Sequence, residues 1–356
     1  MSKIYEKLIR PALFNLAPET AHEFGIESLK IGLASKRAQK AAAKRFAFSD
    51  RRLEIERFGL KFKNPLGMAA GFDKNGIVVN QLAAVGFGFV EVGTVTFNPQ
   101  KGNEKPRLFR LPGDKALINR LGFNNQGTPK VVERLRKIKP ECVLGLNIGR
   151  NKDVPNEEAI ENYLKSFDLA REVADYIAVN VSSPNTPNLR ELQKAENLEE
   201  LLGELQKRNR ELSPKPLLVK IAPDLSEAEI EAIVDIAFRL NLSGIIATNT
   251  TIGRENLKTK INETGGLSGE PVREKSNAVI KKIYKYSKGK LPVIGVGGVF
   301  SGRDAFEKIA CGASLVQAYT GFIYQGIAFA HDVNSGLARI LKEKGFANPD
   351  EAVGSA

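Results

Sequence analysis

Side chains that can hydrogen-bond a ligand or move a proton stand at the ends of short apolar runs along this chain. Most of them are amides, hydroxyls or lysines. At the ends of eight successive runs the chain carries Lys74, Thr94, Asn147, Asn180, Ser183, Asn185, Lys220, Thr248, Asn249, Thr250, Gly297, Gly298, Tyr319 and Thr320. Because parallel strands present their carboxyl ends at one face of a barrel, we expect these residues to converge on one site.

The composition of this set argues against metal or histidine-based catalysis. His22 lies near the amino terminus and His331 beyond the last run, so both are expected to be structural or surface residues. Cys142 and Cys311 lie in or near apolar runs and are expected to behave as small core residues, so no metal site is predicted. If the site carries out redox chemistry, it therefore needs an organic cofactor.

Two glycine-containing loops indicate where a phosphate group of such a cofactor would bind. GVGG at 295–298 and YTG at 319–321 follow the seventh and eighth runs, where barrel enzymes often bind phosphate. Glycine allows the backbone to approach an anion closely, although tight turns alone would also explain these glycines. A G-x-G-x-x-G sequence opening a first βα unit is absent, which disfavours a Rossmann nicotinamide site.

The elements that must position these residues are eight apolar runs separated by intervals long enough for helices. They are 64–70, 87–95, 142–149, 176–183, 217–223, 244–250, 292–299 and 314–320. Eight such units predict a (β/α)8 TIM barrel, with an open doubly wound sheet as the alternative. In one interval Ser226 is followed by Glu229, which predicts a helix that begins with a capping box.

The first 45 residues have a different pattern. Ile4, Leu8 and Ala12 recur four apart, and a second run follows Pro18, so two short amphipathic helices are predicted. The run KRAQKAAAKR at 36–45 carries five positive charges within a chain of net charge +12. Such a run forms a solvated helix face or binds anions. Polar residues interrupt the uncharged stretch 309–330, and no membrane-spanning helix is predicted.

Long ordered motifs resemble the quinone-dependent, membrane-associated class of the dihydroorotate dehydrogenase family. They include GMAAGFDKNG, EVGTVT, LINRLGFNNQG, LGLNIGRNK, IAVNVSSPNTPNLR, VKIAPDLS, IIATNTT, TGGLSG, IGVGGV and GASLVQAYTGFIY, and the similarity runs from about residue 4 to 330. The resemblance implies oxidation of dihydroorotate to orotate in pyrimidine biosynthesis. Substrate would reduce one FMN per chain, bound at the top of the barrel, and a quinone would reoxidise it.

The resemblance also implies roles for individual residues. Ser183 corresponds to the catalytic base that removes the C5 proton while hydride passes from C6 to the flavin, and Thr186 is a candidate proton relay. The substrate would be held by Lys74, Asn119, Arg120, Leu121, Gly122, Phe123, Asn180, Asn185, Asn249 and Thr250. The FMN would be held by Ala70, Gly71, Phe72, Asp73, Lys74, Thr94, Asn147, Asn180, Lys220, Thr248, Gly269, Gly298, Tyr319 and Thr320.

The class within the family depends on two features. The soluble class typically has cysteine where this chain has Ser183, and it lacks an amino-terminal extension like residues 1–45. We therefore predict a membrane and quinone segment at 1–45 and a catalytic barrel at 46–356. The segment would lie on anionic lipid as a peripheral attachment to the cytoplasmic side of the cell inner membrane. A helical cap packed on the barrel is the alternative, and a monomer is expected.

Two other functions stay open at this point. A related flavoenzyme could pass electrons to fumarate or NAD⁺, which Ser183 and the amino-terminal segment disfavour. A basic barrel without catalysis could bind lipid or nucleic acid, which would explain the charge but not the polar strand ends. Binding of nucleic acid is not predicted, because the basic run lacks the aromatic residues on which bases stack.

Overall fold

Eight parallel strands close into a barrel, as the apolar runs predict. The computed structural model describes residues 4–356. The strands are β1 (Ile55–Arg57), β2 (Leu60–Phe62), β3 (Leu66–Met68), β4 (Phe89–Val95), β5 (Leu108–Leu111), β6 (Ala116–Asn119), β7 (Val143–Ile148), β8 (Tyr176–Asn180), β9 (Leu217–Ile221), β10 (Gly244–Ala247), β11 (Gly266–Gly269), β12 (Val293–Val296) and β13 (Leu315–Ala318). The barrel order is β3-β4-β7-β8-β9-β10-β12-β13, which closes back on β3. This closure confirms the barrel and excludes the open sheet.

The α-helices either precede the barrel strands, as the first three do, or alternate with and follow these strands on the outside of the barrel. They are α1 (Arg10–Phe14), α2 (Pro18–Gly32), α3 (Lys36–Phe46), α4 (Val79–Ala84), α5 (Thr128–Leu135), α6 (Ala159–Ala170), α7 (Ala195–Glu211), α8 (Glu227–Arg239), α9 (Arg273–Tyr286), α10 (Gly302–Ala310), α11 (Thr320–Gln325), α12 (Phe329–Glu343) and α13 (Pro349–Ala352). The capping box predicted for α8 is present, with the Ser226 side chain and Glu229 each bonded to the other's backbone N–H. Such a cap stabilises a helix by about 1 kcal/mol.

Alternation along each strand divides the buried residues into an inner and an outer core. The inner core includes Phe89, Tyr176, Leu218, Ile246, Ile294 and Leu315, and the facing helices cover the alternate residues. Gly145 makes room for this filling, because a Cβ there would lie 2.1 Å from the Tyr176 ring. The same alternation turns Asn147 of β7, Asn180 of β8 and Lys220 of β9 toward the barrel axis.

Two small sheets that the apolar runs do not predict close the ends of the barrel. β1 and β2 form an antiparallel hairpin, and its Phe62 packs against Phe89 with ring centroids 5.3 Å apart. β5, β6 and β11 form an antiparallel sheet in which Leu267 of β11 pairs with Ile118 of β6. The second sheet brings the segments 108–119 and 266–269 to the site described below.

From residue 4 onward, the amino-terminal segment contains three α-helices rather than the two predicted. A π-helical turn at Tyr5–Ile9 precedes α1, and α2 and α3 follow. Glu19 of α2 accepts hydrogen bonds from the Arg107 guanidinium at 2.9 and 3.1 Å, which fastens the segment to the barrel. Large apolar side chains stay exposed here, including Leu8 at 70% and Ile31 at 68%. Within residues 4–356 no helix is long and apolar enough to cross a membrane.

Candidate active site

A cavity at the carboxyl end of the barrel, here called the barrel cavity, collects most of the predicted site residues. Its space is about 1020 Å³ including the open mouth. The predicted residues that line it are Ala70, Gly71, Lys74, Thr94, Asn119, Leu121, Gly122, Phe123, Asn180, Ser183, Asn185, Lys220, Thr248, Asn249, Thr250, Gly269, Gly298, Tyr319 and Thr320. They come from the carboxyl ends of the barrel strands and from the loops and small sheet that cover them.

Four predicted site residues do not line the barrel cavity. The Arg120 guanidinium forms an ion pair with Glu263 at 2.5 Å and lies over the ring of Phe109. Phe72 lines a second cavity described below. The Asp73 carboxylate accepts hydrogen bonds from backbone N–H groups at the start of α4, and Asn147 lies beneath the cavity. The roles predicted for these four residues stay predictions, and their side chains do not face the barrel cavity.

Asn180 lies at the centre of an amide network on the cavity floor. Its Nδ2 donates to Thr94 Oγ1 at 2.9 Å and to Asn147 Oδ1 at 3.2 Å. Its Oδ1 accepts from the Asn249 Nδ2 at 3.3 Å, and that group also donates to Ser182 Oγ at 2.9 Å. Because each amide is fixed by its neighbours, the polar floor presents its remaining donors and acceptors in set directions.

Ser183 stands on the loop after β8, next to an amide contact between this loop and β6. Its Oγ accepts a hydrogen bond from the backbone N–H of Asn185 at 3.3 Å. The Asn185 Nδ2 donates to Asn119 Oδ1 at 3.2 Å, which joins this loop to β6. Thr186, three residues after Ser183, has a buried Oγ1 with no hydrogen-bond partner among the described residues. Such an atom is free to bond to a water molecule or a ligand.

A buried carboxylate beneath the floor escaped the sequence analysis. Glu91 on β4 is fully buried and accepts hydrogen bonds from Asn147 Nδ2 at 2.8 Å and Tyr176 Oη at 2.9 Å. Gln317 Nε2 donates to it at 2.8 Å, and Lys220 Nζ lies 3.5 Å away. Lys220 thus points toward the barrel axis, as its position on β9 predicts. Its ammonium is paired with Glu91 and also lines the barrel cavity.

Lys74 is the cation on the wall of the barrel cavity nearest the amino-terminal segment. Removal from water and the nearby positive charge of Arg107 lower its pKa to about 7, although Glu19 opposes this shift. Its Nζ donates to Asn124 Oδ1. A lysine with such a pKa changes charge near neutral pH, and a bound anion would favour its charged form.

The predicted phosphate loops, which follow β12 and β13, form another part of the barrel cavity wall. Gly297 and Gly298 have φ of +126° and +71°, so both glycines adopt backbone conformations that other residues avoid. The Gly298 carbonyl accepts from Arg273 Nε at 3.0 Å, and the Val296 carbonyl accepts from Ser276 Oγ at 2.6 Å. The hydroxyls of Ser268 and Thr320 lie 2.9 Å apart on the same wall.

A second, mainly apolar cavity lies between the amino-terminal helices and the barrel, and its space is about 1090 Å³ including its open mouth; we call it the helix cavity. Its lining includes Tyr5, Phe14, Ala21, His22, Phe24, Gly25, Leu29, Phe72, Leu108, Arg110, Leu117, Phe322 and Ile323. Burial and the positive charge of Lys74 lower the pKa of His22 to about 4, so His22 is neutral. No sequence pattern indicated an individual role for His22, Tyr5 or Arg110 in binding a ligand.

Neither cysteine nor histidine contributes to a metal centre in the described part of the chain. No group of three His, Cys, Asp or Glu side chains there could hold a metal ion. Cys142 is partly buried and packs against the outer core, and burial raises the pKa of its thiol to about 12. His331 packs edge-on against Phe48, with ring centroids 5.7 Å apart.

The fold and the barrel cavity define a (β/α)8 enzyme whose site lies at the carboxyl ends of the strands. A model of the dihydroorotate dehydrogenase family matches residues 52–341. The chain therefore belongs to the dihydroorotate dehydrogenase family and is an oxidoreductase, as the motifs indicate.

Relatives of known name and structure are similar over nearly the whole chain. The dihydroorotate dehydrogenase (quinone) of Christiangramia forsetii is 51% identical over 336 residues, which cover 94% of this chain and 98% of that protein. The protein of the same name from Gloeobacter violaceus is 49% identical over 350 residues and covers 98% of both chains. The crystal structure of DHODH from Eimeria tenella in complex with ferulenol matches with a TM-score of 0.85 and 37% identity, covering 96% of this chain and 98% of that chain.

Proposed function

We propose that this protein oxidises dihydroorotate to orotate for pyrimidine biosynthesis, with FMN as the bound cofactor and a quinone as the final electron acceptor. The family and the names of the relatives support the substrate and the acceptor. The observation that carries the proposal is the position of the Ser183 hydroxyl. It lines the barrel cavity together with amides from β6, β8 and the loop after β10.

The residues present in the barrel cavity fit FMN. Gly297 and Gly298 supply a loop that can approach a phosphate, and Lys220 has ammonium hydrogens facing the cavity beside the buried Glu91. FMN, when bound, supplies the acceptor for the hydride that leaves the substrate. Thr94, Asn180, Lys220, Thr248 and the glycine loops would hold it, and Lys220 would stabilise negative charge on the reduced ring.

The residues of this chain would hold the substrate ring in one orientation. Orotate and dihydroorotate have ring amides that pair with amide side chains and a carboxylate that a cation attracts. Asn119, Asn180, Asn185 and Asn249 offer such amides, and Lys74 offers the cation. Leu121, Gly122, Phe123 and Thr250 complete this part of the wall.

Ser183 would remove the C5 proton of dihydroorotate. A serine hydroxyl is a weak base at neutral pH, so it needs a partner that takes its own proton. The unpaired Thr186 hydroxyl is buried on the same loop and supports a relay through water. The cavity wall limits access of bulk water, since Ser183 is only 6% exposed.

The helix cavity would admit the quinone from the membrane. It is mainly apolar and extends to Phe72, whose neighbours Ala70 and Gly71 line the barrel cavity, so the two cavities meet at one loop. We propose that residues 1–45 are a membrane and quinone segment and that 46–356 form the catalytic barrel.

We also propose peripheral attachment of the monomer to the cytoplasmic side of the inner membrane. Exposed Leu8, Phe24 and Ile31 and the basic helix α3 support contact with anionic lipid. Cosedimentation with anionic vesicles tests this attachment, and failure to bind them at low salt would contradict it.

The substitution Ser183→Ala tests the central step. The variant should retain FMN and bind orotate, because the amide network and Lys74 are intact. Its flavin should be reduced by dihydroorotate about a hundredfold more slowly or worse, since general-base catalysis contributes at least about that factor. Anaerobic stopped-flow absorbance measures the rate.

Ser183→Cys is the matched control, because a thiol of similar size can also take a proton. It should retain more of the reduction rate than the alanine variant. Near-normal flavin reduction in Ser183→Ala would show that another group is the base.

A further inference from the structure

We propose that Arg190 and Asp224 form a clamp that positions the Ser183 loop against the loops after β9 and β10. Arg190 belongs to a 3₁₀ turn at Leu189–Gln193, and neither Arg190 nor Asp224 lines the barrel cavity. Both would therefore act as positioning residues rather than as catalytic ones. The proposal rests on the proposed function, because it takes Ser183 to be the base.

Each guanidinium nitrogen of Arg190 contacts a different loop. Nε donates to the Ser182 carbonyl at 3.1 Å, on the loop after β8. Nη1 donates to Asp224 Oδ2 at 3.1 Å, on the loop after β9. Nη2 donates to the Thr250 carbonyl at 3.2 Å, on the loop after β10. One rigid group thus fixes three loops relative to one another.

Asp224 holds the other side of the clamp through a charged carboxylate. Its Oδ1 accepts from Lys275 Nζ at 2.6 Å and from Thr251 Oγ1, and its Oδ2 accepts from the Ile252 N–H at 3.2 Å. Burial alone would raise its pKa, but the hydrogen bonds from Lys275 and Thr251 outweigh burial and lower it. Arg190 therefore faces a carboxylate that stays ionised at neutral pH.

The atoms that the clamp holds lie next to the atoms that would meet the substrate. The Ser182 carbonyl directly precedes Ser183, and the Thr250 carbonyl belongs to a residue that lines the barrel cavity. Asn249, one residue before Thr250, donates to Ser182 Oγ at 2.9 Å. The distance between the proposed base and the amide of Asn249 therefore depends on Arg190, which binds the residue next to each of them.

The clamp extends to the cofactor side of the barrel cavity through α9. Lys275, which binds Asp224, lies two residues after Arg273, and Arg273 Nε donates to the Gly298 carbonyl at 3.0 Å. The first turn of α9 thus touches both the clamp and the glycine loop. A displacement of Asp224 would move the loops after β8 and β10 through Arg190. It would reach the glycine loop only indirectly, through α9.

Arginine suits this position better than lysine. Its planar guanidinium donates in three fixed directions, whereas a lysine ammonium is a single point on a flexible stem and cannot reach all three acceptors at once. Misplacement of reacting groups by about 1 Å can slow a reaction by about a hundredfold. Loss of the clamp should therefore slow proton removal, while the barrel cavity itself still forms.

The experiment compares the two half-reactions in the FMN-loaded full-length protein. In Arg190→Met, anaerobic flavin reduction by dihydroorotate should slow by about tenfold or more, because the base loop is no longer fixed. Reoxidation of the reduced protein by a soluble quinone should keep its wild-type rate, since the clamp does not touch the helix cavity. Arg190→Lys should fall between the wild type and Arg190→Met.

Asp224→Asn provides a second variant of nearly the same shape. It should slow flavin reduction in the same direction. In the double variant, the rate of flavin reduction should fall by about the same factor as in the slower single variant. It should not fall by the product of the two single factors, because both residues act in one contact. If Arg190→Met does not fold, the rate of flavin reduction in Asp224→Asn tests the clamp by itself.

Arg239→Met is the matched control, because Arg239 also binds a carboxylate, Glu199, through two nitrogens, but on the exposed surface between α8 and α7. It should leave both half-reactions unchanged. Wild-type flavin reduction in Arg190→Met or Asp224→Asn, or an equal loss in both half-reactions, would overturn the clamp. A wild-type protein whose flavin ignores dihydroorotate would instead contradict the proposed function.

Discussion

At the scale of single residues, most side chains of the barrel cavity could be predicted from the sequence, whereas the buried carboxylate beneath it could not. Asn180, Ser183 and Lys220 follow from motifs and from strand alternation. Glu91 was missed, although it stands two residues after the inward-facing Phe89 and so had to face the axis. Its four contacts come from four other strands, which sequence spacing cannot bring together.

The charge of Lys74 gives the proposed site a pH dependence. Because its pKa is lowered to about 7, the free protein loses this cation as pH rises through that value. A carboxylate ligand favours the charged form, so binding then has to take up a proton. The affinity for orotate should fall by up to about tenfold for each pH unit above 7, within the range in which the bound lysine stays charged. Titration of the flavin absorbance with orotate measures this.

Lys74→Arg separates this cation from other titrating groups. Arginine stays charged throughout the range, so the affinity of the variant for orotate should vary little between about pH 6 and 8.5. A slope in the variant equal to that of the wild type would assign the pH dependence to another group.

At the scale of elements, the barrel strands were predictable because each is a buried run followed by a helix-sized interval. The sheet of β5, β6 and β11 was not, since its strands are four residues long and β11 pairs with β6 across more than a hundred residues. The amino-terminal helices were predicted in part. One helix was expected for the first run, but that run is divided into the π-helical turn at Tyr5–Ile9 and helix α1, whose second residue is Pro11.

Helix α2 offers a direct test of the helix cavity. Gly25 lines this cavity, and a Cβ there would meet nothing within 4 Å, so a leucine would occupy free space. Gly25→Leu should slow reoxidation of the flavin by quinone about tenfold or more, because the side chain blocks the proposed route, and it should leave reduction by dihydroorotate unchanged. Separate stopped-flow measurements of the two half-reactions check this.

Gly32→Leu is the control on the same helix. A Cβ at Gly32 also meets nothing within 4 Å, but Gly32 does not line the helix cavity. Both glycine replacements add similar helix propensity, so the control should reoxidise at the wild-type rate. Equal reoxidation rates in the two variants would remove the helix cavity as the quinone route.

At the scale of the whole molecule, two cavities of different character meet near one loop. The barrel cavity was predictable from the strand ends, whereas the helix cavity forms between segments at opposite ends of the chain. Tyr5 Oη, for example, donates to the Ile323 carbonyl at 2.8 Å across 318 residues. No local pattern reports such a contact, so the amino-terminal helices indicated a membrane segment but not the shape or lining of its cavity.

The proposed function is tested most directly by the visible spectrum of the purified protein without oxygen, recorded before and after dihydroorotate and then after a soluble quinone. We expect a flavin band that bleaches with dihydroorotate and returns with quinone. A bound flavin that ignores dihydroorotate would contradict the proposed substrate. A reduced flavin that returns with fumarate or NAD⁺ but not with quinone would contradict the proposed acceptor.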